Sequence, residues 1–220
     1  LSIFLVLVLY RFIRVGKSSL VFYKGKLTED ENYRKAEFFR YILVFIGYII
    51  LLYHSISYLG LKNTIFFFLL SIIISFITEI IGMETGFFFG GRFQYNNKKN
   101  GPMIYKVPLL ILLTWFGLIY MGFIYSLYIL NIIELVDSNL DLNKIILITT
   151  LSGILIMCLD FVFDPIAVDE KRWFWKTPGA YYGVPFLNFA GWFFNCFIIL
   201  FIFLYKSFSF AEISIYSINK

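Results

Sequence analysis

Six stretches of this chain are apolar for long enough to be compared with a bilayer, whose hydrocarbon core takes about 20 residues of helix. They cover 1–15, 38–59, 64–82, 107–130, 144–163 and 185–205. The pattern predicts an all-α polytopic membrane bundle of about six spans, organised as a single integral membrane domain over 1–220. The chain opens LSIFLVLVLYRFIR, with no initiator Met and no A-x-A-like cleavage site after it. The first run therefore reads as a helix whose start is missing rather than as a signal peptide.

The polar residues between the runs test this count. The first connection carries Lys17, Lys24, Lys26, Arg34 and Lys35, and the second only Lys62. The third carries Arg92, Lys98, Lys99 and Lys106. The fourth sets Glu134, Asp137 and Asp141 against Lys144, and the fifth carries Lys171, Arg172 and Lys176. Basic residues thus concentrate in alternate connections, as the positive-inside rule expects if 16–37, 83–106 and 164–184 are cytoplasmic. The expected location is the inner membrane of a prokaryotic cell. In that orientation the third and fifth spans both run inward. Glu79 and Glu84 then reach the same membrane face as Asp160 and Asp164, together with the two loops richest in Gly, Pro and aromatic residues.

Composition supports the bilayer as solvent. The 220 residues are 60% hydrophobic and 15% charged, against about 45–50% apolar in soluble domains. The 28 Phe and 16 Tyr carry less weight, because AT-rich codons favour both, along with Ile, Asn and Lys. The net charge of +5 comes from residues between apolar runs, with no basic face or nucleic-acid motif, so no nucleic-acid partner is expected. Cys158 and Cys196 both fall inside apolar runs, which argues against a disulfide framework.

The candidate chemistry is acidic. An ionised side chain at membrane depth costs about 2.5–3.5 kcal/mol on insertion scales and faces a bundle interior or wet cavity. Glu79, in SFITEIIG, is such a residue; Glu84 stands closer to the interface. Asp160 and Asp164, in CLDFVFDPIA, are four apart and share a face if the helix continues that far. Pro165 favours an extended Asp164 and predicts the helix end there. Neighbouring carboxyls can hold one shared proton, which suits a general acid; loop capping or pairing with Lys171 or Arg172 is the plainer alternative. Trp173 and Trp175 fit an interfacial belt. Tyr181 and Tyr182 lie between Gly179 and Gly183, where backbone can approach a ligand, and Asn188 is a polar residue expected to face inward. His54 reads as an interior or lumen-facing histidine. No zinc or di-iron spacing, P-loop, Rossmann fingerprint or G-x-S-x-G motif is present.

The ordered series Glu79, Gly82, Thr85, Gly86, then Phe93 and Tyr95, then Trp115, then Asp160, Asp164, Pro165, then Trp173 and Trp175, then YYGVPFLNFAGW from Tyr181 to Trp192, resembles the membrane carotenoid biosynthesis family that contains carotenoid 1,2-hydratases and bisanhydrobacterioruberin hydratase. The resemblance covers roughly 70–195. It implies a hydratase acting without a cofactor or metal, whose partners are an acyclic carotenoid, water and membrane lipid. It implies Asp160 or Glu79 as proton donor, Asp164 and Asn188 in positioning water or tuning the donor, and Tyr181 and Tyr182 beside a tertiary cation. Glu84, Arg92, Tyr95 and Trp175 are the remaining expected substrate contacts. Two alternatives stand beside it. A UbiA-like, magnesium-dependent prenyltransferase would need a second aspartate motif, and Ile156 stands where that family would show Asn. A non-catalytic carotenoid or lipid carrier would spread its polar groups through several spans.

Overall fold

A computed structural model describes residues 31–132 and 140–208, with side chains at 42 and from 44 onward. Four α-helices, α1 (Glu31–Thr85), α2 (Leu109–Ile129), α3 (Leu142–Asp169) and α4 (Phe186–Phe208), are joined by short strands β1 (Phe93–Tyr95), β2 (Met103–Ile104), β3 (Val107–Pro108) and β4 (Trp173–Trp175). All four helices are long and apolar enough to cross a membrane, the first over Val44–Thr85. The chain is an integral membrane protein.

Of the six expected spans, the described residues show four helices long and apolar enough to cross a membrane, the first of them taking up two of the expected runs. The run 1–15 lies outside the described residues, as do Glu134 and Asp137. The runs 38–59 and 64–82 belong to one helical element, α1, which breaks at Gly60 (φ 78°, ψ 160°), a conformation natural to glycine. Unbroken helix would separate Tyr48 and Phe68 by about 30 Å, yet their ring centroids are 6.5 Å apart. The two halves of α1 therefore fold back on each other. At the break, Asn63 Nδ2 donates to Leu59 O (3.1 Å), using a carbonyl that the interrupted helix leaves short of a partner.

The core lies where α1, α2 and α4 meet. Phe67 stacks on Phe203 (4.7 Å between centroids) and meets Phe116 edge-on (5.4 Å); all three are fully buried. His54 Nδ1 and Tyr120 Oη are hydrogen-bonded at 2.6 Å, which satisfies the histidine within the bundle. Lipid supplies no hydrophobic drive between helices, so close approach relies on small residues and interhelical hydrogen bonds. Gly122 lies against Ile156 and Gly153 against Phe193, while Ser126 and Ser152 hydroxyls meet at 2.8 Å.

Gly191 on α4 is the tightest of the helix approaches, since a Cβ there would stand 2.3 Å from Phe88 O. Gly191→Ala is expected to destabilise the protein by about 1–3 kcal/mol through overpacking. Gly47→Ala, where a Cβ meets nothing within 4 Å, should leave the detergent melting temperature unchanged or raise it. Equal melting temperatures for the two variants would contradict this packing.

Between the helices, β1 pairs antiparallel with β4, setting Phe93 opposite Trp175 and Tyr95 opposite Trp173. The third and fifth connections, placed on one side by their charge, thus form one surface over the bundle end. The helix end expected at Asp164 is also corrected: α3 runs through Pro165 to Asp169. Proline removes one backbone donor, and a membrane helix tolerates this where a neighbouring side chain satisfies the freed carbonyl. Here Tyr181 Oη donates to Phe161 O at 3.2 Å.

Candidate active site

Because α3 continues, Asp160 and Asp164 stack one turn apart on a single face. Opposite them, α4 starts just after Pro185 and presents Asn188 in its first turn. The Asn188 amide nitrogen donates both hydrogens, to Asp160 Oδ2 at 2.7 Å and to Asp164 Oδ2 at 2.5 Å. All three residues are buried, Asp160 completely, and Asp160 Oδ1 has no hydrogen-bond partner among the described residues.

Glu79 approaches from the last turns of α1. Its Oε2 accepts from Tyr95 Oη and its Oε1 from Trp115 Nε1, both at 2.9 Å. Burial, reinforced by the Glu79 carboxylate, holds the Tyr95 hydroxyl well above the usual phenol range, so it remains a hydrogen-bond donor. Trp115 in turn lies 4.4 Å from Trp192, centroid to centroid.

All of these groups except Asp160 face a cavity of about 280 Å³. Glu79, Asp164 and Asn188 form part of its polar wall, and Tyr95, Trp115, Trp173, Trp175 and Trp192 much of its aromatic wall. Its apolar side runs along Val44, Leu110 and Ile111, towards the lipid-facing surface of α1 and α2. Its loop end is closed by Arg172, whose Nε meets Glu170 Oε2 at 2.7 Å and whose Nη1 donates to Lys99 O at 3.0 Å. Asn100 Nδ2 donates to Arg172 O (2.6 Å), fixing the same closure.

The expected site residues divide accordingly. Glu79, Asp160, Asp164, Asn188 and Tyr95 come together, and Trp175 joins them on the wall while its Nε1 donates to Phe89 O (3.0 Å). Trp173 and Trp175 are thus wall residues more than members of an exposed belt. Glu84 stands outside, in an exposed ion pair with Lys106, and Arg92 is exposed. Tyr182 turns outward at 43% exposure. Tyr181 lies behind the aspartates, off the cavity wall. Sequence reasoning missed Trp115 as the partner of Glu79 and Arg172 as a buried closing residue. An indole on an apolar span carries no mark of its bonding partner, although its N–H must find one when buried. Among the described residues no three His, Cys, Asp or Glu side chains cluster so as to hold a metal ion.

A sequence model of the carotenoid biosynthesis protein family matches residues 38–213. The chain belongs to that family. It is also 29% identical over 118 residues to the bisanhydrobacterioruberin hydratase of Haloarcula japonica, an alignment covering 54% of this chain and 37% of that protein. The chain thus aligns with little more than a third of its curated relative. No solved structure matches it. The motif order that suggested the family runs through the site itself: Glu79 and Tyr95, Trp115, the aspartate pair, and Asn188 to Trp192.

Proposed function

We propose that this carotenoid biosynthesis protein is an intramembrane hydratase, adding water across the terminal C=C of an acyclic carotenoid to give a tertiary alcohol. The observation that carries the proposal is the pair Asp160 and Asp164, buried on one Asn188 amide, with Asp164 on the wall of an aromatic-lined cavity. Two ionised carboxylates in that position would have little to offset their repulsion and desolvation. A single proton held between them supplies the acid.

Asp164, which lines the cavity, is the proton donor in this reading, and Asp160 behind it holds and returns the proton. The carboxyl O–H protonates the CH carbon of the isopropylidene end, and the π electrons form the new C–H bond. A tertiary cation remains on the neighbouring carbon, where the faces of Trp115, Trp173 and Trp192 stabilise it. Glu79, fixed by Tyr95 and Trp115, orients the water whose oxygen bonds to the cation. The proton released from that water returns to the aspartate pair, so the enzyme is restored with no redox change.

A cavity of about 280 Å³ is at the small end of ligand sites, about 300–1,000 Å³. It suits one end group, with the rest of the polyene lying along Val44, Leu110 and Ile111 in lipid. In the inner membrane of a prokaryotic cell, with 83–106 and 164–184 cytoplasmic, the acids would lie at the cytoplasmic end of the bundle.

The test is expression in a host supplied with lycopene or a C50 precursor and grown in ¹⁸O-labelled water. A tertiary alcohol carrying the water label is expected. Carotenoid recovered bound but unchanged would favour the carrier reading, and magnesium-dependent consumption of a prenyl diphosphate would favour the prenyltransferase.

A further inference from the structure

Tyr181 was expected beside the substrate, yet its hydroxyl is engaged elsewhere. In a continuous α-helix the N–H of residue 165 would donate to the carbonyl of residue 161. Pro165 has no N–H, so Phe161 O loses its partner in the turn that spaces Asp160 from Asp164. Tyr181 Oη donates to that same oxygen at 3.2 Å.

The surroundings hold Tyr181 in place. Its backbone closes a tight hairpin, with Val184 N donating to Tyr181 O (2.8 Å) and Tyr181 N to Val184 O (3.2 Å). Tyr182 (φ 50°) and Gly183 (φ 88°) form the turn between them, with the positive φ pair of a type I′ hairpin. The Tyr181 ring meets Phe161 and Phe189 edge-on, at 5.6 and 5.5 Å between centroids. Those two rings stack on each other at 3.9 Å. Phe161 adjoins Asp160 in the chain and Phe189 adjoins Asn188, so the aromatic trio links the two helices at the height of the Asp–Asn contacts.

We infer that Tyr181 is a positioning residue: its hydroxyl stands in for the N–H that Pro165 lacks, and holds the turn bearing Asp160 and Asp164 against Asn188. The catalytic meaning of that position rests on the proposed function, whereas the replacement of one donor by another is a property of the fold and can be tested without substrate. The arrangement combines a proline-opened turn with a phenol that closes it.

A four-member cycle of parent, Tyr181→Phe, Pro165→Ala and the double variant tests this in the whole purified chain in detergent. Tyr181→Phe keeps the ring and removes the donor; Pro165→Ala, or Pro165→Gly should the alanine variant not accumulate, restores a backbone N–H for Phe161 O. Tyr181→Phe is expected to lower the melting temperature by about 2–4 °C in the parent and to leave it unchanged in the Pro165→Ala background. The infrared carboxyl band lost in Asp160→Asn should shift in Tyr181→Phe and return in the double variant. An equal melting shift in both backgrounds, or none in the parent, overturns the inference. Absence of hydration product alone would count against the hydratase reading and leave this result standing.

Discussion

Asp164→Asn is expected to abolish hydration in a carotenoid-producing host, with a loss of about 10²–10⁴-fold, the range that a positioned general acid contributes. Asp164 lines the cavity and Asp160 does not, so the two aspartates should differ. Asp160→Asn leaves Asp164 ionisable but replaces its proton-sharing neighbour with an amide able to donate to it. That stabilises an Asp164 carboxylate and should reduce the rate through loss of the acid form. Glu79→Gln keeps the shape but cannot accept on both oxygens from Tyr95 and Trp115, whose present bonds are both 2.9 Å. A smaller loss is expected, with product still formed. Pigment extraction read against protein level measures all three. Full hydroxylation in both aspartate variants would falsify the acid mechanism. Full activity in Asp164→Asn with none in Glu79→Gln would move the donor to the opposite wall.

The second large effect concerns Asn188, whose one amide nitrogen serves both aspartates. Asn188→Leu fills a similar volume and leaves two buried acceptors without their donor. Each such loss costs about 1–3 kcal/mol, so the variant should melt well below the parent in detergent. The penalty belongs to the cluster and not to the helix, because a leucine is a good helix former. Combining Asn188→Leu with Asp164→Asn should therefore be non-additive by about 0.5–3 kcal/mol, as for residues in one network. Additive melting shifts would show that Asn188 and Asp164 act independently, contrary to their 2.5 Å contact.

Both predictions depend on contacts that the chain's periodicity only partly announces. The Asp160–Asp164 face was legible, because a four-residue spacing on an apolar run has one helical reading. Asn188 was recognisable as inward-facing from its polarity, but its partners lie 28 and 24 residues away, beyond any local rule. The reading of Pro165 failed for a physical reason. Local sterics disfavour helix at the preceding residue, and a hydroxyl from Tyr181 offset the missing donor. Tyr181 was a plausible substrate contact for as long as the direction of its hydroxyl was unknown. Glu84, Arg92 and Tyr182 had the right residue types near the right loops, but their directions depend on turns whose geometry propensity does not specify. The two runs 38–59 and 64–82 were correctly apolar, whereas their union in one element broken at Gly60 was not visible from hydropathy.

The sequence by itself determined the solvent, the class of fold and the family. Each of these follows from composition, apolar run length and residue order, which are properties of the chain taken linearly. The tertiary structure alone decided that Trp115 and Tyr95 hold Glu79, that one asparagine amide joins two aspartates, that Arg172 closes the loop end, and that Tyr181 supports a helix instead of lining a cavity. Those outcomes depend on where donors and acceptors from distant segments meet. In a bilayer a polar group without water must find its partner within the protein, and only the packing of α1 to α4 determines which partner is within reach.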